Sequence, residues 1–587
     1  MEEGDGLERI ALKHALINAI KHEGKAQTGA VVSKVLGEKP ELKTRAREVV
    51  EIVSRVVEKV NSMSRQQQEE MLRSEFPEIK LEQEKKEEAK RLPPLPDVDK
   101  FERITTRFAP NPDFVIHLGN ARPAILSYEY ARMYNGKFIL RFEDTDPRIK
   151  TPMVDAYRQI REDLIWLGVK WDEEYIQSLR LPIYYKIAKE LIMRGGGFVD
   201  DTTKENYEEM LSKGEIHPNR DKPPEHNLEL FERMLSGYYK EGEAVLRVKT
   251  DLSYSDKSLI DWVAFRIINT ERYPHPIVGS KYIVWPTYNF ASAVDDYLMG
   301  VTHIIRGKEH LQNTMKQKHL FDHLGWRQPV AIHLGRLRLE EFIMSKSQIK
   351  KILKESGGAY SGPDDPRFGT IMGLRERGIK AEAIRSVIMT VGAKQSDASI
   401  SFANLASENR KIIDPVSPRL MFVEEPIELI IENREEEDCI TTRIPYHPDR
   451  AELGSREFTV CSGDRILISN QDYENALEKR NGELRLMELG NYRIDGGKLV
   501  MISKELSYAR EKELSIVQWV QKKNAKLATI FDTNKKSNSK SPDYREGAVE
   551  DGEKLRDFLG KNVQLVRIGF AVLKSLSPVA TFIYTHE

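Results

Sequence analysis

The stretch Arg107-Phe108-Ala109-Pro110-Asn111-Pro112-Asp113-Phe114-Val115-Ile116-His117-Leu118-Gly119-Asn120 decides how the rest of the chain is read. A short apolar run, Phe114 to Ile116, leads like a strand into a turn at His117-Leu-Gly119-Asn120, and the amphipathic residues 124–134 continue as a helix. Strand, glycine turn and helix N-terminus in succession make an anion site. The glycine lets backbone approach closely, and the helix end points free N–H groups and the positive end of its dipole at the ligand. Four residues recur by chance, so the flanking sequence must decide between a phosphate site and an ordinary turn.

Downstream, Lys137-Phe-Ile-Leu-Arg-Phe142 reads as a second strand and runs straight into Glu143-Asp-Thr-Asp-Pro147. Strand, helix, strand begins a parallel α/β sheet, whose ligands bind at the carboxyl ends of the strands; His117 and Glu143 both fall at that rim. Residues 155–166 read as the next helix. From about 195 to 277 the pattern changes, opening on Gly195-Gly-Gly197 and passing through alternating runs such as Ala244-Val-Leu-Arg-Val-Lys249, as an insertion would. Sheet-like signals return at Tyr282-Ile-Val-Trp285, Tyr288-Asn-Phe-Ala291 and Val301-Thr-His-Ile-Ile-Arg306. A helix over 311–324 and a last strand over 330–334 follow. Next comes Arg336-Leu-Arg-Leu-Glu-Glu-Phe-Ile343-Met344-Ser345-Lys346-Ser347, a lysine among small hydroxyls, and then a helical stretch over 374–391. Beyond about 415, short β-like runs separated by polar turns predict an all-β region of one or two barrels, with a Ser/Lys/Asn-rich loop at 535–543.

Upstream, residues 1–64 read as helical, with Val49, Val50, Ile52, Val53, Val56, Val57 and Val60 at helical spacing. Residues 64–91 are a charged tether or solvated helix, and Leu92-Pro-Pro-Leu-Pro breaks it. The expected domains are 1–96, 97–335 with the insertion, 336–414, and 415–587. The 587 residues are 40% apolar and 31% charged, with a net charge of −1, so a nucleic-acid surface would have to be local. No run is long enough to span a bilayer, and the acidic start lacks the layout of a signal peptide, so a cytoplasmic protein is expected. Cys439 and Cys461 are too few for a zinc site or a disulfide framework, and read as buried or idle thiols in a reducing compartment.

Three separated signals occur in one order: His117-Leu-Gly119-Asn120, Arg141-Phe-Glu143-Asp-Thr-Asp-Pro147, and Met344-Ser345-Lys346-Ser347. Together they resemble the signatures of class I aminoacyl-tRNA synthetases, specifically the glutamyl/glutaminyl subgroup. Arg107-Phe-Ala-Pro-Asn-Pro is similar to that subgroup's opening motif. Tyr288-Asn-Phe-Ala and Val301-Thr-His-Ile-Ile-Arg306-Gly-Lys-Glu309-His look like its second-half block, and Asp365-Pro-Arg367 like its block after the lysine motif. The resemblance runs from about residue 101 to the end, and the N-terminal region looks like the helical extension of archaeal-type members. Two positions depart from the pattern. Asn120 stands where many members carry a second histidine, and Ile343 where the lysine motif usually begins with a lysine.

The resemblance implies an α/β, Rossmann-type class I catalytic domain with an inserted acceptor-binding domain, an N-terminal helical extension, a helical subdomain and C-terminal all-β anticodon-binding barrels. It implies ATP-dependent attachment of glutamate to tRNA(Glu), with tRNA(Gln) as a further acceptor. The nearest rival is a glutaminyl enzyme. Readings from other classes are a small-molecule nucleotidyltransferase and a non-catalytic tRNA-binding relative. His117, Asn120 and Lys346 would be catalytic; His117, Gly119, Asn120, Glu309, Met344, Ser345, Lys346 and Ser347 would bind ATP. Arg107, Asn111, Glu143, Tyr288, Ser292 and Arg306 would bind glutamate. Arg306 separates acid from amide, because a guanidinium forks onto a carboxylate and is poorly compensated by an amide. Magnesium would arrive with ATP as substrate. No zinc and no membrane are expected, and the N-terminal helices would dock a protein partner.

Overall fold

The computed structural model describes residues 2–21, 24–76, 92–434, 438–533, 543–550 and 553–587. The chain forms two compact units, Met1–Arg91 and Leu92–Glu587. The first holds helices Glu2–Lys21, Thr28–Glu38, Ala46–Asn61 and Arg65–Glu75. The valine stripe of Ala46–Asn61 packs with Ala11, Ala15 and Ala19 of the first helix, small residues that let two helices approach closely. Ser64 and Gln67 form a reciprocal capping box that starts the fourth helix. The rest of the charged segment, 77–91, lies outside the described residues, as does most of the polar loop expected at 535–543.

The second unit is built on five parallel strands: β1 (Thr105–Phe108), β2 (Lys137–Phe142), β3 (Glu173–Ile176), then β8 (His303–Gly307) and β9 (Val330–Leu334), in the order β3-β2-β1-β8-β9. The chain winds outward from β1 in one direction and returns to its other side with β8. That reversal is the switch point at which such sheets open a crevice. β1 and β8 register through Thr106 and His303 alone, so Arg107 and Phe108 have no registered partner on β8.

The first strand differs from the sequence expectation. Phe114–Ile116 is not in the sheet; the strand is Thr-Thr-Arg-Phe, entirely buried. Helices cover both faces, so its polar side chains need partners instead of water. Thr106 Oγ1 donates to Ser127 O at 2.7 Å and Arg107 Nε to Asp296 at 3.2 Å. The 114–116 segment is pinned elsewhere: Leu118 N donates to Gly369 O and Ile371 N to Ile116 O, while Phe114 and Val115 pack with Ile349 and Phe368.

Between β3 and β8 lies a separate antiparallel sheet, β4 (Gly197–Asp200), β5 (Val245–Val248), β6 (Val263–Ile267) and β7 (Val284–Pro286). The Tyr282–Trp285 signal therefore belongs to this sheet and not to the parallel one. Tyr288–Ala291, also read as sheet-like, opens the helix Tyr288–Leu298. The insertion core extends into that helix and into Leu181–Met193.

After β9 come helices Lys346–Glu355, Ile371–Glu376, Ala381–Val391 and Phe402–Ile413. The single helix expected over 374–391 is two, parted at Gly378. This residue has φ +91°, and Ile379 N–H closes back on Leu374 O in a Schellman-type stop. A Cβ there would sit 2.5 Å from Val572 Cγ2 and 2.6 Å from Asn562 Nδ2 of the C-terminal region. Left-handed strain of about 1–2 kcal/mol adds to overpacking of about 1–3 kcal/mol. Gly378→Ala is expected to lower unfolding stability by about 3 kcal/mol, measured in urea.

The C-terminal region carries two mostly antiparallel seven-stranded sheets and a hairpin, Cys439–Pro445 with Ser455–Cys461. The expectation of idle thiols is corrected here: Cys439 and Cys461 are directly opposed across that hairpin and form a disulfide. A register that pairs residues 22 apart is invisible to a count of cysteines, and the inference of a reducing compartment loses its premise. No helix among the described residues is long and apolar enough to cross a membrane.

Candidate functional site

The carboxyl ends of β1, β2, β8 and β9 border a cleft of about 920 Å³. Arg107, Asn111, Glu143, Tyr288 and Arg306, the first part of the expected set, line it, and so do His117, Gly119, Asn120, Glu309, Met344, Ser345 and Lys346 of the second. Two expected site residues do not line it. Ser292 is fully buried and accepts a hydrogen bond from Arg141 at 3.1 Å. Ser347 turns to Ser345, their hydroxyl oxygens 3.1 Å apart.

Sequence reasoning missed the residues that set the charge of the first part. Asp296 accepts from Arg107 Nε at 3.2 Å and from Arg141 Nη1 at 2.8 Å, and Arg141 Nη2 donates to Glu143 at 2.9 Å. Arginine at 141 and glutamate at 143 share one side of a strand by its period of two. Tyr288, Ser292 and Asp296 share a helix face by spacing of four. Both signals were present in the sequence. Behind Glu143, Asp144 braces the loop: it accepts from Tyr157 Oη at 2.6 Å, and from Ser178 N–H and Oγ–H.

Arg306 differs from its neighbours. Its guanidinium donates to Tyr288 Oη at 3.1 Å, Thr314 Oγ1 at 2.7 Å and Gln317 Oε1 at 3.0 Å, all neutral acceptors. Burial pushes the Tyr288 phenol up, so that partner stays uncharged. Arg306 is 5% exposed, makes no ion pair among the described residues, and its Nε has no partner there. Burial first, then the fields of Arg306 and Arg107, pull His310 down to about 3, so this ring adds no charge. Among these five side chains three guanidiniums stand against two carboxylates, and Arg306 is the one positive charge left over. Asn111 Oδ1, in the same cleft, is buried without a partner among the described residues.

At the other end, His117 is the N-cap of the helix Leu118–Met133. Gly119 N–H donates to His117 Nδ1 at 3.0 Å, which leaves the ring proton on Nε2 as a donor. A Cβ at Gly119 would lie 2.8 Å from His117 Cε1, so only glycine leaves the ring where it is. Asn120 takes a second part in the cap, its Oδ1 accepting from His117 N–H at 3.4 Å. The Lys346 ammonium pairs with the Asp113 carboxylate, and Lys350 Nζ donates to Asp113 O at 2.8 Å. Ile343, where the family pattern has a lysine, bridges Phe368 by backbone and packs with the cluster that holds Phe114 and Val115. The lysine segment and the approach to His117 therefore share one apolar anchor. Among the described residues no group of three or more metal-ligating side chains is present.

Burial pulls the His117 imidazole down to about 4. A folded value below the free value of 6.5 means that its contribution to stability is complete above pH 6.5 and is lost as the pH falls toward 4. Ring-proton NMR of the free protein is expected to place the His117 midpoint near 4; a midpoint at the free value would show a solvated, freely protonated ring.

Residues 103–415 match the family description "tRNA synthetases class I (E and Q), catalytic domain", and 417–507 match the anti-codon binding domain of the same class. The chain is 50% identical over 586 residues to the glutamate–tRNA ligase of Aeropyrum pernix, covering 99% of this chain and 100% of the relative. It is 48% identical to that of Ignicoccus hospitalis, covering 98% and 99%. It is 49% identical to that of Sulfurisphaera tokodaii, covering 100% of both.

Proposed function

The chain belongs to the class I tRNA synthetases of the glutamate and glutamine (E and Q) family, and from that premise we propose that it attaches glutamate to tRNA(Glu) through a glutamyl-adenylate. The observation that carries the choice of amino acid is Arg306, a buried cation whose protein partners are all neutral. Glutamate brings two carboxylates and one ammonium, a net charge of −1, which matches the one positive charge left over; glutamine brings none. A desolvated guanidinium facing an amide stays uncompensated, which rejects glutamine by orders of magnitude.

In the first step a carboxylate oxygen of glutamate attacks the α-phosphorus of ATP and pyrophosphate leaves. In the second, a ribose hydroxyl at the tRNA 3′ end attacks the acyl carbon and AMP leaves. Charge builds on the phosphoryl oxygens, so the protein supplies placed donors and cations more than a covalent nucleophile. His117 donates from Nε2, Asn120 steadies its backbone, Gly119 gives the nucleotide room, and Lys346 leaves Asp113 to reach the phosphates. Met344, Ser345 and Glu309 complete the nucleotide wall, with Ser347 bracing Ser345. Glu143 takes the substrate ammonium, with Asn111 Oδ1 as a second acceptor for it. Arg306 and Tyr288 hold the side-chain carboxylate, and Arg107 faces the substrate from β1. Ser292 acts through Arg141. Magnesium belongs to the substrate as the counter-ion of ATP.

The insertion would hold the acceptor end and the C-terminal sheets would read the anticodon by stacking on splayed bases. tRNA(Gln) is proposed as a further acceptor, and the N-terminal helical unit as the dock for a protein partner. Charging with labelled glutamate or glutamine, on each tRNA separately, tests the reading. Glutamate on tRNA(Glu) is expected; glutamine alone would overturn it.

A further inference from the structure

Arg306 keeps its spare charge because the side chains around it are neutral. We infer that Gln317, with Thr314, sets the preference of this site for an acid over its amide. The inference rests on the glutamate reading above. Both residues lie three apart on one face of the helix Leu311–Leu324, and both accept from Arg306 Nη2, at 2.7 Å (Thr314) and 3.0 Å (Gln317).

The hydrogen-bond inventory of this cradle is uneven. The Thr314 hydroxyl is saturated: it accepts from Arg306, lies 3.0 Å from His333 Nε2 and donates to His310 O at 3.2 Å. Burial and the nearby Arg306 charge hold His333 below its usual value, so no imidazolium intrudes. Gln317 is 2% exposed, and its Nε2 has no partner among the described residues. An amide here therefore leaves both of its N–H donors unmade. A glutamate of the same length would present acceptors only and would pair with the guanidinium at short range. By local bonding alone the carboxylate is the better neighbour for Arg306. The amide makes sense if the charge has to stay available to something outside the protein, which is the second carboxylate of the substrate. Gln317 does not line the cleft; it is a positioning residue that acts through Arg306.

The test compares full-length Gln317→Glu and Gln317→Met in tRNA charging, with glutamate and glutamine as the varied substrates. Gln317→Glu places a carboxylate behind the guanidinium and opposes the substrate carboxylate, so the KM for glutamate is expected to rise about 100-fold. The KM for ATP should stay near that of the parent, and the glutamate-to-glutamine preference should narrow by the same factor. Gln317→Met removes the acceptor without adding charge and is expected to keep most of that preference. If Gln317→Glu does not fold, Thr314→Asp brings a carboxylate to the same Nη2 from the next turn and carries the same expectation. An unchanged preference in the folded acidic variant, or an equal loss in Gln317→Met, overturns the inference. Failure of the parent protein to charge glutamate at all defeats the function reading instead.

Discussion

Replacing Arg306 with alanine is expected to lower kcat/KM for glutamate by about a thousandfold, because the loss of one partner of a buried pair costs about 4 kcal/mol. The loss should fall on glutamate and not on ATP, since Arg306 bonds to Tyr288, Thr314 and Gln317 and not to the residues around His117. Glutamine should lose far less, so the preference collapses. Stability should move the other way or not at all. Arg306 has a partnerless Nε and no carboxylate of its own, so its burial is a standing desolvation cost without bound substrate. A thermal midpoint that holds or rises, together with the loss of glutamate, is the signature of a charge kept for a ligand. A midpoint that falls sharply with the amino-acid preference intact would make Arg306 a structural residue.

The sequence and the structure agree where chemistry is local and part where it is long-range. His117 and Gly119 could be read together because they stand two positions apart and one hydrogen bond joins them. Glu143 could be read because it follows a strand end. Asp296 is legible only as a residue on the helix face of Tyr288 and Ser292; its partners Arg107 and Arg141 are not, because it meets them across separations of 189 and 155 residues. The pattern points Ser292 at the substrate, and only the fold shows it buried against Arg141, outside the lining of the cleft. Phe114–Ile116 reads as the first strand by sequence alone because an apolar run marks burial, not pairing. The true strand, Thr105–Phe108, hides under polar letters whose partners come from other elements. Tyr288 misled for a similar reason: an aromatic-rich run suits a strand, yet it opens a buried helix. The cysteines followed the same rule, since only the hairpin register brings them together. Asn120 and Ile343, the two departures from the family pattern, turn out to have local structural work: one caps His117, the other anchors the lysine segment to the cluster under it.

Removing the Lys346 ammonium is expected to give the other large effect. Lys346→Ala should slow adenylate formation by about 10²–10³-fold, the range seen when one preorganised donor to developing charge is lost. In the free protein that ammonium pairs with Asp113, and Lys350 Nζ donates to the carbonyl oxygen of the same residue. The Lys346 side chain is thus parked in the cleft on a carboxylate that ATP phosphates must outcompete, as a long, flexible point charge can. Lys350 cannot substitute, since it is committed to a backbone carbonyl and does not line the cleft. Three readouts separate this role from a packing role. Single-turnover pyrophosphate release should fall by the stated factor, glutamate affinity should be unchanged, and tRNA binding should be unchanged, because Lys346 touches neither the Arg306 pocket nor the C-terminal sheets. Lys346→Arg keeps the charge but replaces a compact ammonium with a planar fork, so it should recover charge-dependent ATP binding without recovering the full rate. If Lys346→Ala releases pyrophosphate at the parent rate, the transferred phosphate is stabilised by His117 and its helix N-terminus without help from the lysine segment.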